Sequence, residues 1–232
     1  MLHTDLKILF EDNHLLAVNK PAGVIVQADK SGDVSLEDLV KRYLKLKYNK
    51  PGDAYLGISH RIDRPVSGVV LMCKTSKALE RINEMFRERQ VKKTYWAVVK
   101  NLPEQLSDTL IHWLIRDTEK NKSKVFNKEV NNSQRCELEY KHIASSSNYH
   151  LLEVNPLTGR HHQIRCQLAK IGCSIKGDLK YGAARSNEDG SIHLHARKLE
   201  FIHPVTKEKI TIKARPPIDP VWDYFMESQG NR

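Results

Sequence analysis

Hydrophobic and polar positions alternate along this chain in short blocks separated by turn residues, and the period of each block predicts its element. KILFEDNHLLAVNKPAG holds two apolar runs around an Asp-Asn turn, so two strands are expected, ending at a Pro-Gly break. SLEDLVKRYLKLKY has helical spacing, with Leu36, Leu39, Val40, Tyr43 and Leu46 on one stripe. Ser35 precedes it as an N-cap, with Asp38 three residues on. GVVLMCKT predicts a buried strand, SKALERINEMFRERQ an amphipathic helix and KKTYWAVVK a strand covered on both faces. From Leu102 to Glu137 the chain is polar and lysine-rich, which predicts a surface hairpin or extended loop. CELEYKHIA and YHLLEVNPL read as strands, and TGRHHQIRCQLAKIG as a helix stopped at Gly172. IHLHARKLEF and KITIKARPP follow as strands, and PVWDYFMESQ as a closing helix. Strands and helices interleave without a regular βαβ alternation, so the fold class is α+β with a mixed, largely antiparallel sheet.

Composition narrows the function classes. The 232 residues carry 38 Lys and Arg against 28 Asp and Glu, a formal charge of +10, which suits a polyanionic partner. No apolar run is long enough to span a bilayer, and the N-terminus shows no signal-peptide pattern. The four cysteines are scattered without a CxxC pair, the pattern of reduced, buried thiols in a cytoplasmic protein rather than of a zinc site. The histidine pairs His161–His162 and His193–His195 supply at most half a metal site each.

One stretch asks for chemistry. In SHRIDRPVSG, Asp63 stands between Arg61 and Arg64, directly before Pro65 and the apolar strand. Neighbouring guanidiniums favour the ionised form of a carboxylate, and a rigid strand beside a loop fixes what the loop presents. Arg165 lies in the expected helix four residues after His161, and so on the same face, at the edge of the Ile164–Leu168–Ile171 stripe. A guanidinium there needs a carboxylate, and Asp63, Asp178 and Glu153 all qualify. Tyr95, in the KTYWAVV strand, reads by itself as a core aromatic.

HRIDRPVSGVVLMCKTSKAL resembles the signature of the RluA-type pseudouridine synthases. NKPAG, KTYWAVV, TGRHHQIRCQLAKIG and GDLKYG resemble that family's other blocks in the same order, together spanning roughly residues 8–216. The resemblance implies a bent, mainly antiparallel sheet with flanking helices and a central cleft, making residues 1–232 a single catalytic domain with no separate N-terminal RNA-binding domain. It implies isomerisation of specific uridines in structured ribosomal or transfer RNA, without metal, nucleotide or redox cofactor. Apart from the resemblance, the protein is expected to be a monomer with no membrane partner. Asp63 would be the nucleophile, Arg165 its ion-pair partner and Tyr95 the aromatic on the target base. Ile164 would line the pocket, Arg61 would fill the space left by the extruded nucleotide, and His60 and Arg64 would be further substrate contacts. His161 departs from the family's usual threonine. A non-catalytic RNA-binding protein on the same fold, and a metal-dependent hydrolase using the histidines, are the rival readings.

Overall fold

The computed structural model describes residues 6–230, leaving the first five and last two positions outside it. In chain order the elements are β1 (Ile8–Glu11), β2 (Leu15–Lys20), α1 (Leu36–Lys47), β3 (Gly57–Ile58), β4 (Ser67–Cys73), α2 (Ser76–Arg87), β5 (Lys92–Val99), β6 (Ser107–Asp117), β7 (Lys122–Phe126), β8 (Gln134–Ser145), β9 (His150–Pro156), α3 (Gln163–Lys170), β10 (Leu194–Ile202), β11 (Lys209–Lys213) and α4 (Pro220–Ser228), with a 3-10 turn at Leu179–Tyr181. This is an α+β fold whose strand pairings are mostly antiparallel, as the interleaved pattern predicts.

The chain forms two compact units. One contains the residues up to Lys93 together with Ala196–Pro216; the other contains Thr94–His195 and the residues from Pro217 onward. In the first unit β2 pairs with β1 on one side and β4 on the other, β10 follows β4, and β11 pairs with β10. The period-2 alternation puts Leu15, Ala17, Val69, Leu71 and Cys73 on one face, where Ala78, Ile82 and Met85 of α2 cover them. Thr75 caps α2 by accepting from the Ala78 amide at 3.2 Å. Helix α1 carries the expected capping box: Ser35 and Asp38 each accept the other's backbone N–H. Its buried stripe is Leu36, Leu39, Val40 and Leu44, so Leu46, expected inside, is exposed at 62% and Leu44 takes its place. At 3.6 residues per turn position 44 follows 40 on the same line, whereas 46 has rotated off it.

In the second unit the strand order is β5-β9-β8-β6-β7. The lysine-rich middle segment therefore forms a hairpin, β6 with β7, that is built into the sheet through β8. Helix α4, capped by Asp219 and opened by Pro220, lays Trp222, Phe225 and Met226 against Trp96, Val98 and Leu151. The opposite face takes α3, whose Cys166 packs with Leu114, Cys136 and Tyr181. All four cysteines are buried and free of disulfides. Among the described residues no helix is long and apolar enough to cross a membrane.

Candidate active site

The Asp63 loop leaves β3, enters β4 and is fixed along its length. Ser59 Oγ donates to the Leu71 carbonyl at 2.7 Å, and the Leu71 N–H donates back to His60 Nε2 at 3.0 Å. The His60 ring also lies 5.1 Å from the Phe86 ring. Burial, with the nearby Lys93 charge adding to it, pulls the His60 pKa down to about 4, so the imidazole is neutral and can accept that amide. Ile62 is buried, and the Val66 N–H donates to the Asp63 carbonyl at 3.0 Å, closing the turn that holds Asp63 itself half-buried.

The flanking arginines diverge. Arg61 is exposed. Arg64 sends Nε to the Gly23 carbonyl at 3.0 Å and a terminal nitrogen to Asp33 at 2.8 Å, tying the loop to the turn after β2. The Gly23 N–H returns to the Arg64 carbonyl at 2.8 Å. That turn contributes a residue the sequence reading left unassigned. Lys20, the last residue of β2, is wholly buried, and its ammonium donates to the carbonyls of Pro21, Val24 and Arg64 at 2.9, 2.7 and 3.2 Å. Burial pulls its pKa down to about 7; the Asp63 charge opposes that shift and the Arg64 charge reinforces it. The NKPAG block was the available signal, but a lysine gives no hint in sequence that its head group is inside.

In the second unit Tyr95 sits on β5 opposite Val154, half-buried, on the sheet face that Trp96 turns away from. Val154 in turn faces Tyr140, and Cys136 lies on the same side of β8. Since α3 covers Cys136, Tyr95 and the helix that carries Arg165 share one face of this sheet. Tyr95 is thus neither a fully buried core aromatic nor a fully exposed one.

The Arg165 guanidinium, 5% exposed, forks onto Asp178: Nε to one carboxylate oxygen at 2.7 Å and a terminal nitrogen to the other at 2.8 Å. Of the three carboxylates the sequence left open, this one forms a bidentate buried pair, the strong geometry for arginine. The Tyr181 ring lies 5.2 Å from the guanidinium carbon, and its hydroxyl meets His162 Nδ1 at 3.0 Å and accepts the Ser123 N–H at 2.7 Å. The GDLKYG block is therefore the cradle of Arg165.

Helix α3 begins at Gln163, so His161 is not in it and the expected shared face of His161 and Arg165 does not exist. The cause is His162, which adopts φ 53° and breaks the helix before it reaches His161. His161 instead stacks on the His162 ring at 3.7 Å. Gln163 secures the helix start: its carbonyl oxygen accepts from Thr158 Oγ1 and the Arg160 N–H, and its amide donates to the Glu137 carbonyl. Ile164 is buried beside Arg165 in the chain.

Comparison with known proteins gives one consistent answer. The model of a family described as RNA pseudouridylate synthase matches residues 14–170. The chain is similar to the tRNA pseudouridine synthase C of Salmonella typhi, with 31% identity over 249 aligned positions, 98% of this chain and 91% of that protein. It is also similar to the ribosomal large subunit pseudouridine synthase C of Buchnera aphidicola subsp. Acyrthosiphon pisum, with 33% identity across 92% of this chain and 68% of that one. In fold it is similar to human RNA pseudouridylate synthase domain containing 4, with a TM-score of 0.77 at 24% identity over 95% of this chain and 92% of that chain. With the match spanning both the Asp63 loop and α3, the chain belongs to the RNA pseudouridylate synthase family.

Proposed function

We propose that this protein isomerises uridines in structured transfer or ribosomal RNA to pseudouridine, with Asp63 as the nucleophilic carboxylate. The observation that carries the reading is the family match over a stretch that includes Asp63, in a loop anchored from His60 to Val66. Relatives of both kinds, named for tRNA and for ribosomal RNA, support the substrate class. The reaction breaks the bond between ring nitrogen and ribose, turns the base and rejoins it through carbon; that carbon gives up its proton and the freed ring nitrogen gains one. Addition to the uracil ring, attack on the sugar carbon and removal of a ribose proton are the three routes open to the carboxylate, and each needs an ionised Asp63 beside an extruded base.

Arg165 is the cation that ion-pairs with Asp63, and Tyr95 the aromatic that contacts the flipped base and assists loss of the ring proton. Ile164 gives the base an apolar wall. Arg61, exposed and unencumbered by the turn that occupies Arg64, fills the space the nucleotide leaves. His60 and Arg64 complete the substrate-side loop. The two units serve as one catalytic domain, monomeric and cytoplasmic, with RNA as the partner. The test is conversion of uridine in total RNA and in separate transfer and ribosomal RNA transcripts, with pseudouridine mapped by chemical labelling. Asp63→Asn is expected to abolish conversion and leave RNA affinity nearly unchanged. Residual conversion by Asp63→Asn at the wild-type rate would remove Asp63 from the reaction, and a wild-type protein that binds RNA but converts none would favour the purely binding role.

A further inference from the structure

A groove of about 260 Å³ opens in the first unit between the turn after β2 and helix α1. Ile25 and Leu39, both buried, form its apolar floor, and Val34, 52% exposed, forms part of its wall. Two guanidiniums line it: Arg42 from α1, and Arg64, the residue next to Asp63 in the chain. Arg42 is exposed and has no hydrogen bond or ion pair among the described residues. Asp38, whose carboxylate lies within its field, is committed to capping Ser35. One carboxylate, Asp33, also lines the groove; its pair with Arg64 is half-exposed on both sides and so already screened by water.

An apolar wall with two cations at its edge, one of them adjacent to the reactive loop, has the two parts that single-stranded nucleic acid needs: a surface for a base face and charge for a phosphate. The volume, below the roughly 300 Å³ at which drug-sized pockets begin, suits a base alone, with its sugar and phosphate outside on the two cations. We propose that this groove is a second RNA subsite, seating one unpaired nucleotide that flanks the target uridine. Its base lies against Val34 and Leu39, and its phosphate bridges Arg42 and Arg64, replacing Asp33. The inference rests on the reading of the protein as an RNA-modifying enzyme and adds how the strand is held beside the modified position.

The test uses the full chain and an RNA stem-loop, with affinity measured by fluorescence anisotropy over a range of salt. Arg42→Gln is expected to weaken binding roughly 3–10-fold and to lower the slope of log affinity against log salt by about 0.7, the share of one phosphate contact on a single strand. Arg42→Lys, which keeps the charge, is expected to recover the slope. Val34→Trp, which fills the groove without touching a charge, is expected to weaken binding with the slope unchanged, and to do so less on RNA whose flanking nucleotide is abasic. For a converted RNA, Arg42→Gln raises KM and leaves kcat at saturation as it was. Wild-type affinity and slope in both Arg42→Gln and Val34→Trp would overturn the subsite. The two readings fail separately: affinity and slope need no turnover, so a wild type that converts nothing sinks only the enzymatic one.

Discussion

The Lys20 amine has no exposed surface, and it meets three backbone carbonyls. Replacing the lysine by methionine preserves much of the volume but strands the Pro21 and Val24 carbonyls, while that of Arg64 keeps the Gly23 N–H, so Lys20→Met is expected to cost about 2–5 kcal/mol by urea unfolding. The pH dependence has a definite sign. With the folded pKa near 7 and the ordinary value at 10.5, the unfolded chain binds more protons between them, so Lys20 makes stability rise with pH across that window. Lys20→Met is expected to flatten the slope, read from unfolding curves between pH 7 and pH 10. At this scale the sequence was uneven. Asp63 was legible because its neighbours are chemically unusual and its motif is contiguous. The partner of Arg165 was not, because choosing Asp178 requires the chain to turn back at Gly172, where φ is 78°. The partners of Arg64 were hidden for a similar reason: proximity in sequence to Asp63 says nothing of Gly23 and Asp33, which its side chain reaches.

Between elements, a few polar knots decide registry. Glu11 of β1 accepts from Tyr43, Lys47, Tyr48 and Lys74, at 2.6 to 2.9 Å, and so joins α1 and the end of β4 to the edge strand. Burial pushes its pKa up, but those four donors outweigh it and bring the carboxyl down to about 2. Its contribution is therefore present above the ordinary value of 4.5 and lost as pH falls from there towards 2. Glu11→Gln is expected to cost about 1–3 kcal/mol at neutral pH and to become nearly silent at pH 2, as followed by thermal unfolding. Just before the Leu179–Tyr181 turn, Asp178→Asn removes the charge that takes two donors of the buried Arg165 guanidinium and is expected to cost about 3–5 kcal/mol, measured by urea unfolding. Gly68, at φ 120°, pairs β4 closely with β10: a Cβ there would sit 2.5 Å from the Ala196 nitrogen and nearer still to its carbonyl oxygen. Gly68→Ala is expected to lose about 2–4 kcal/mol by the same measurement. Element identity was largely readable because the periods are clean; the start of α3 was not, because the left-handed turn at His162 follows from tertiary bonds around Ser123 and Tyr181 rather than from local propensity.

The whole molecule carries its charge excess over two units that are each incomplete as continuous segments. The first takes its last two strands from Ala196–Pro216, and the second takes α4 from beyond that return. Nothing in the local pattern announces this exchange, because it lies in which distant strands pair. The sequence carried α+β and a mainly antiparallel sheet, but its division into two units depended on contacts far apart along the chain. A ribosome releasing this polypeptide in order would therefore expose β4 for more than a hundred residues before its neighbour β10 could be synthesised. Until then β3 and the Ser59 and His60 side chains hold only the far end of that edge, from Leu71 to Cys73, and the stretch beside the Asp63 loop waits for a strand from the other end of the unit.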